Sequence, residues 1–308
     1  MSNLPLLSIV TPTRGKFSEL WLEHLYAISG EVEFILVYYP NVSHRAIADS
    51  RFTQITCPYK GEVIQRLTGL LNAKGRYVIA LDDDDFIHPQ VVTLVQSYFQ
   101  KFPDSWVLRL SMTKIPHTDL DKIKSPWQPN PDLDNLKVAR RTEAGEEYQV
   151  LQEVPIAPLN NKFNWRFLID PYLKRQDLHG AHIENFNNKV WKAELVQDAI
   201  ADLAQVTRIY GALTWIPFWS LDRLLGLFIQ AKFYQENIII GHWMPKPEQI
   251  RYIVMSQSLK KEFRLIFPAD VLLAKRFPQY GYFWNVTFEQ GWIAVKRLAQ
   301  EALKFSRD

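Results

Sequence analysis

Apolar, β-branched runs alternate with amphipathic segments along the N-terminal third of the chain. Leu6 to Thr11 is one such run, closed by Pro12, and Ser18 to Ser29 carries apolar residues at helical spacing behind a serine suited to cap them. Val32 to Tyr38 and Phe52 to Thr56 read as strands, Glu62 to Leu71 as a helix, Arg76 to Leu81 as a fourth strand and Val91 to Phe102 as a helix. This alternation predicts an α/β fold in which a mostly parallel sheet is covered by helices on both faces. Such sheets bind ligands outside the carboxyl ends of their strands. The loop after the first strand and the residues after the fourth are therefore expected to meet at one crevice.

Trp106 to Met112 has the pattern of another strand, but Thr113 to Pro158 is rich in proline and charge and poor in periodicity. A stretch of that length suggests a long insertion, with room for short strands and a role as a lid or acceptor-recognition segment. Order resumes from Asn187, with helices near Lys192 to Ala204, Leu221 to Lys232, Asp270 to Phe277 and Phe288 to Phe305, and a strand at Asn237 to Gly241. The expected organisation is one domain over residues 1–250, with an insertion at about 113–180, and a helical extension over 251–308 packed on it. The last helix gathers Trp292, Val295, Leu298, Ala302 and Phe305 near one face. Packing on the domain explains that pattern, and peripheral membrane contact is the alternative.

Composition narrows the function classes. The 308 residues are 47% hydrophobic and 13% aromatic, enough to bury a substantial core. Lysine plus arginine, 36, nearly balances aspartate plus glutamate, 33, so the net charge of +3 lacks the footprint of a nucleic-acid binder. Cys57 is the single cysteine, which excludes an intrachain disulfide framework and a cysteine-based zinc cluster. With an N-terminus lacking a signal-peptide pattern and no run of about 18 apolar residues, the expected setting is the cytoplasm.

The densest chemistry is Asp82-Asp83-Asp84-Asp85, directly after the strand ending in Leu81. Adjacent carboxylates raise one another's pKa unless a cation or solvent compensates. A hard divalent ion such as Mg2+ prefers carboxylate oxygen and keeps positions open for substrate phosphate. The bland alternative is a solvated acidic turn capping the next helix.

Leu7-Ser8-Ile9-Val10-Thr11-Pro12-Thr13-Arg14 and Ala73-Lys74-Gly75-Arg76-Tyr77-Val78-Ile79-Ala80-Leu81-Asp82-Asp83-Asp84-Asp85, with Pro89 beyond, are the two most distinctive segments. They resemble, in turn, the opening strand and the A-x-G-x-Y-(apolar)3-L-D-x-D-D-x-x-x-P signature of family 2 glycosyltransferases with the GT-A fold. The resemblance implies a nucleotide-diphosphate sugar donor bound by Pro12, Thr13, Arg14, Asp82 and Asp83, with Asp82 near the ribose or base. It also implies Mn2+ or Mg2+ held by Asp84, with Asp85 supporting the metal. Trp219-Ser220-Leu221-Asp222-Arg223-Leu224 resembles in part the later E-D-x-x-L-x-x-R segment, which makes Asp222 the base of an inverting transfer to an acceptor hydroxyl of a glycan, lipid or small molecule. His242 is a further metal ligand by the same resemblance, with His179 and His182 as alternatives. A packed histidine is the competing reading.

There are departures as well. Val37-Tyr38-Tyr39-Pro40-Asn41 stands where relatives carry V-D-D-G-S, leaving Tyr38 or Tyr39 to stack on a base, and the Q-x-x-R-W signature of processive synthases is missing. Single sugar transfer is the expectation. A noncatalytic sugar-nucleotide binder and a metal-dependent nucleotidyltransferase are the rivals, although Arg14-Gly15-Lys16 is too short for a P-loop.

Overall fold

The computed structural model describes residues 4–140, 149–175, 182–207, 218–254 and 267–305. Its strands are β1 (Leu7–Thr13), β2 (Val32–Tyr38), β3 (Phe52–Thr56), β4 (Tyr77–Ala80), β5 (Phe86–Ile87), β6 (Val107–Arg109), β7 (Met112–Pro116), β8 (Lys137–Ala139), β9 (Val150–Pro155), β10 (Lys189–Lys192), β11 (Ile239–Trp243) and β12 (Ile250–Val254). Among the described residues a nine-stranded sheet has the order β3-β2-β1-β4-β10-β6-β11-β9-β8, and a three-stranded sheet the order β5-β12-β7. The first four strands of the large sheet are mutually parallel, and β10 runs antiparallel between β4 and β6. The fold is α/β, built on a mostly parallel sheet.

The continuous apolar character of β1 follows from burial on both faces, since all seven of its residues are buried. Alternation sorts the side chains into two cores. Val10, Ile35 and Val78 join the core beneath helices Glu62–Asn72, Ala193–Thr207 and Phe218–Lys232. Ile9, Phe34 and Ile79 join the opposite core, with Trp21 and Leu25 of helix Glu19–Tyr26 and Val95 and Phe99 of helix Val91–Lys101. Ser18 caps the first of these helices, its side chain accepting the Trp21 N–H.

Gly75 is required where β4 comes in beside β1. Its N–H donates to Ser8 Oγ at 2.8 Å, and a Cβ there would lie 2.6 Å from Ser8 N. The aspartates do not cap a helix. Asp82 to Asp85 form a turn closed by the Asp85 N–H on Asp82 O, then β5 intervenes, and helix Val91–Lys101 starts behind Gln90.

The expected strand Trp106 to Met112 is two strands in different sheets. Between them Ser111 N–H donates to Gln249 Oε1, and Ser111 O accepts from the N–H groups of Gln249 and Ile250, so the chain crosses from β6 to β7 there. The segment expected to be irregular is largely built in. It supplies β7 to the small sheet, the short helix Leu120–Lys124, and β8 and β9 to the edge of the large sheet. Helix Phe267–Arg276 packs between helices Phe218–Lys232 and Gly281–Phe305. In the last helix Trp292 Nε1 donates to Phe167 O at 2.9 Å, whereas Val295 and Leu298 are exposed. Among the described residues no helix is long and apolar enough to cross a membrane.

Candidate active site

The parallel pairing of β1 with β4 brings the Pro12-Thr13-Arg14 end of one strand beside the aspartate turn of the other. Thr13 fastens the two: its Oγ1 donates to Asp83 Oδ2 at 2.6 Å and accepts the Gly15 N–H at 2.9 Å. From helix Glu62–Asn72, Gln65 donates its side-chain amide to Thr13 O at 3.0 Å and to Val37 O at 2.6 Å, locking the ends of β1 and β2. Asp83 thus holds the loop in shape. Arg14 lies over the Tyr39 ring, 5.5 Å from its centroid. Tyr38 is fully buried in the core and offers no face to a base, so of the two tyrosines only Tyr39 borders the crevice.

Asp82, Asp84 and Asp85 can each offer one carboxylate oxygen, and these atoms lie within 4.8 Å of one another. Asp85 is 1% exposed; its Oδ1 accepts the Ile253 N–H at 2.9 Å from β12, while the buried Oδ2 has no hydrogen-bond partner among the described residues. Burial, then the Asp82 charge, pushes its carboxyl up to about 8. Burial and the charges of Asp82 and Asp83 push Asp84 up to about 6. An orphaned buried oxygen inside a group of mutually repelling carboxylates fits a hard cation, which would satisfy the oxygen and offset the repulsion together.

Around these carboxylates opens a cavity of about 950 Å³. One wall is Pro12, Thr13, Arg14 and Tyr39, the floor is Asp82, Asp83 and Asp84, and the far side is His117, Leu120 and Lys124 from the segment after β7. A second cavity of about 590 Å³ is bordered by Asp222 and by Asn187, Lys189, Arg109 and Trp243. Asp222 Oδ1 accepts the Asn187 N–H, and its Oδ2 accepts no hydrogen bond among the described residues. Gly226 lets this helix abut the neighbouring segment, because a Cβ there would lie 2.4 Å from Glu184 O.

Arg66 is a functional residue that the sequence pattern did not single out. Its buried guanidinium pairs with Asp82, with Glu62 at 2.9 Å and with Asn187 Oδ1 at 3.2 Å, so it joins the first cavity to the second. A basic residue at helical spacing from Glu62 is ordinary on a surface helix, and only the turn of the helix toward β4 buries it.

His242 stands apart from the carboxylates. It lies buried on β11 with Nδ1 2.9 Å from the Tyr98 hydroxyl and its ring against Phe102, and burial pushes its pKa down to about 4. This is the packed-histidine arrangement, and the metal-ligand expectation does not carry over to it. His182 sits by Glu184 and Tyr282, and His179 lies outside the described residues.

Residues 40–176 match the family model described as glycosyl transferase family 2. The match contains the aspartate turn and continues through β7, β8 and β9; β1 and Asp222 lie outside it. Among solved structures, the chain is similar to S. aureus TarS 1–349 in complex with UDP, at 13% identity and a TM-score of 0.48, over 87% of this chain and 64% of that one. Its similarity to the same TarS region in complex with UDP-GlcNAc is 13% identity and a TM-score of 0.47, over 87% and 65%. The chain spans less than two thirds of the length of these structures. No curated protein matches it.

Proposed function

We propose that this chain is a family 2 glycosyltransferase that moves a single sugar from a nucleotide-diphosphate sugar to an acceptor hydroxyl, with inversion, acting in the cytoplasm. The observation that carries the reading is the meeting of Asp82, Asp84 and Asp85 at the carboxyl end of β4, where Asp82 and Asp84 line a cavity whose other wall is the Pro12-Thr13-Arg14 loop. Tyr39 and Arg14 form a flat cationic face suited to a base or a phosphate. Asp84 and Asp85 would hold Mn2+ or Mg2+, with Asp82 beside them. When bound, such an ion acts as a Lewis acid that stabilises negative charge on the departing nucleotide.

The chain's own residues account for the remaining tasks. Arg66 fixes the Asp82 carboxylate, while Asp84 lines the cavity and Asp85 lies buried behind it. Asn187 N–H holds one oxygen of Asp222, so the other can accept the acceptor's hydroxyl proton. A carboxylate in the second cavity, apart from the carboxylates of the first, suits an inverting displacement.

Incubating the chain with UDP-, GDP- and dTDP-sugars, with Mn2+, with Mg2+ or with EDTA, tests the reading. Metal-dependent release of free nucleotide diphosphate from one class is expected. Binding without turnover, whatever acceptor is offered, would identify a sugar-nucleotide binder instead, and release of pyrophosphate would identify a nucleotidyltransferase.

A further inference from the structure

The second cavity is cationic. Among the described residues, Arg109, Lys189 and Lys246 line it with one acid, Asp222. Lys189 is the informative residue because it is only 8% exposed, and its Nζ makes one hydrogen bond among the described residues, 2.9 Å to Asn187 O. An ammonium has three donors, so two remain for something in the cavity. Burying such a group beside another cation is costly unless an anion compensates. Burial and the Arg109 charge push the Lys189 pKa down to about 8, with only Asp222 drawing it back. The Arg109 guanidinium is stacked 3.8 Å from the centroid of the Trp243 ring, which fixes both on the cavity wall. Side-chain amides of Asn185, Asn188 and Gln152 complete a lining suited to hydroxyl groups.

We propose that this cavity takes the acceptor and that the acceptor is anionic: a sugar or polyol carrying a phosphate or carboxylate group. This rests on the transferase reading above. The acid group lies against Lys189, Arg109 and Lys246, and the nucleophilic hydroxyl faces Asp222. Its oxygen bonds to the anomeric carbon as its proton passes to Asp222, while the anomeric carbon to phosphate bond breaks and its electron pair leaves with the nucleoside diphosphate.

The test is calorimetric titration of the full chain, saturated with UDP and Mg2+, with glucose, glucose 6-phosphate and glucuronate. At least one charged probe is expected to bind about tenfold or more tighter than glucose, the stronger arm telling phosphate from carboxylate recognition. Lys189→Met is expected to remove most of that advantage, and Lys246→Ala, at an exposed position, part of it. Equal affinity for the three probes, no binding of either charged probe, or an advantage unchanged in both variants would overturn the proposal. So would an advantage that vanishes once UDP is bound, since the cations would then serve the donor. If UDP itself fails to bind, the donor reading falls, and the same three probes without nucleotide still decide whether the second cavity selects an anion.

Discussion

Arg66 donates to Asn187 Oδ1 at 3.2 Å while the same guanidinium is paired with Asp82. One buried side chain therefore sets the spacing between the carboxylates of the first cavity and the segment that holds Asp222. Arg66→Met would leave Asp82 and Glu62 without their cation. Both are partly exposed, so the loss should lie near the lower end of the about 3–5 kcal/mol seen when one partner of a buried pair is removed, measured by urea denaturation. Arg66→Lys keeps the charge but cannot reach three partners as a planar fork does. It should recover part of the stability and little of the transfer rate; wild-type behaviour in both would show that charge alone suffices.

The carboxylate turn predicts a coupling between pH and metal. Asp84 and Asp85 are raised in the folded chain to about 6 and about 8. Between the ordinary carboxylate range and those values the folded state holds protons that the unfolded state has lost. Their contribution is thus greatest at acid pH and declines as pH rises toward about 8. A divalent ion held by this turn would require its carboxylates deprotonated. The rise in melting temperature on adding Mn2+ or Mg2+ in place of EDTA should accordingly grow from about pH 5.5 to about pH 8. Asp84→Asn should abolish most of that rise. A metal effect of the same size at both pH values, or none, would remove the turn from metal binding.

How much of this was legible in the sequence depends on how local each feature is. The first strands and helices could be read because period-2 and period-3.6 patterns are local, and β3 from Phe52 to Thr56 has the expected limits. The meeting of Thr13 with Asp83 follows from parallel strand order, which local patterns also imply. Between Met112 and Pro155 the strands are short, and β8 and β9 lie at a sheet edge where polar residues are tolerated, so hydrophobic alternation is weak. Arg66 and Lys189 draw their roles from burial beside residues distant in sequence, a property without a one-dimensional signal. His242 carried a misleading one, because a histidine at the carboxyl end of a strand can face either side of the sheet, and this one faces Tyr98 and Phe102.

The C-terminal helices are expected to be inseparable from the site. Arg223, next in sequence to Asp222, has Nε 3.2 Å from Asp270 Oδ1 and Nη2 3.1 Å from Glu184 Oε2. Arg175 in turn joins Glu184 at 3.0 Å to Glu289 at 3.2 Å. This ionic group pins helices Phe267–Arg276 and Gly281–Phe305 beside the segment running to Asn187. Asp270→Ala leaves the buried Arg223 guanidinium with Glu184 alone and should destabilise the chain by about 1–3 kcal/mol. A chain ending before Phe267 should lose its cooperative thermal transition. A shortened chain that melts as the full one does would make those helices dispensable.

Asp222→Asn separates the two halves of the reaction. Asparagine keeps the size of the side chain and an oxygen for the Asn187 N–H, so folding and the neighbouring segment should be preserved. It cannot accept the acceptor's proton. Transfer should fall by about 10²–10⁴-fold, while binding of nucleotide sugar and metal, read by calorimetry, should change little, because the donor carboxylates belong to the turn after β4 and to another cavity. A parallel loss of donor binding would mean that Asp222 acts through Asn187 and Arg66 on Asp82 as a positioning group. Retained transfer would require a different base. Neither result alters the metal prediction, since that depends only on the turn after β4.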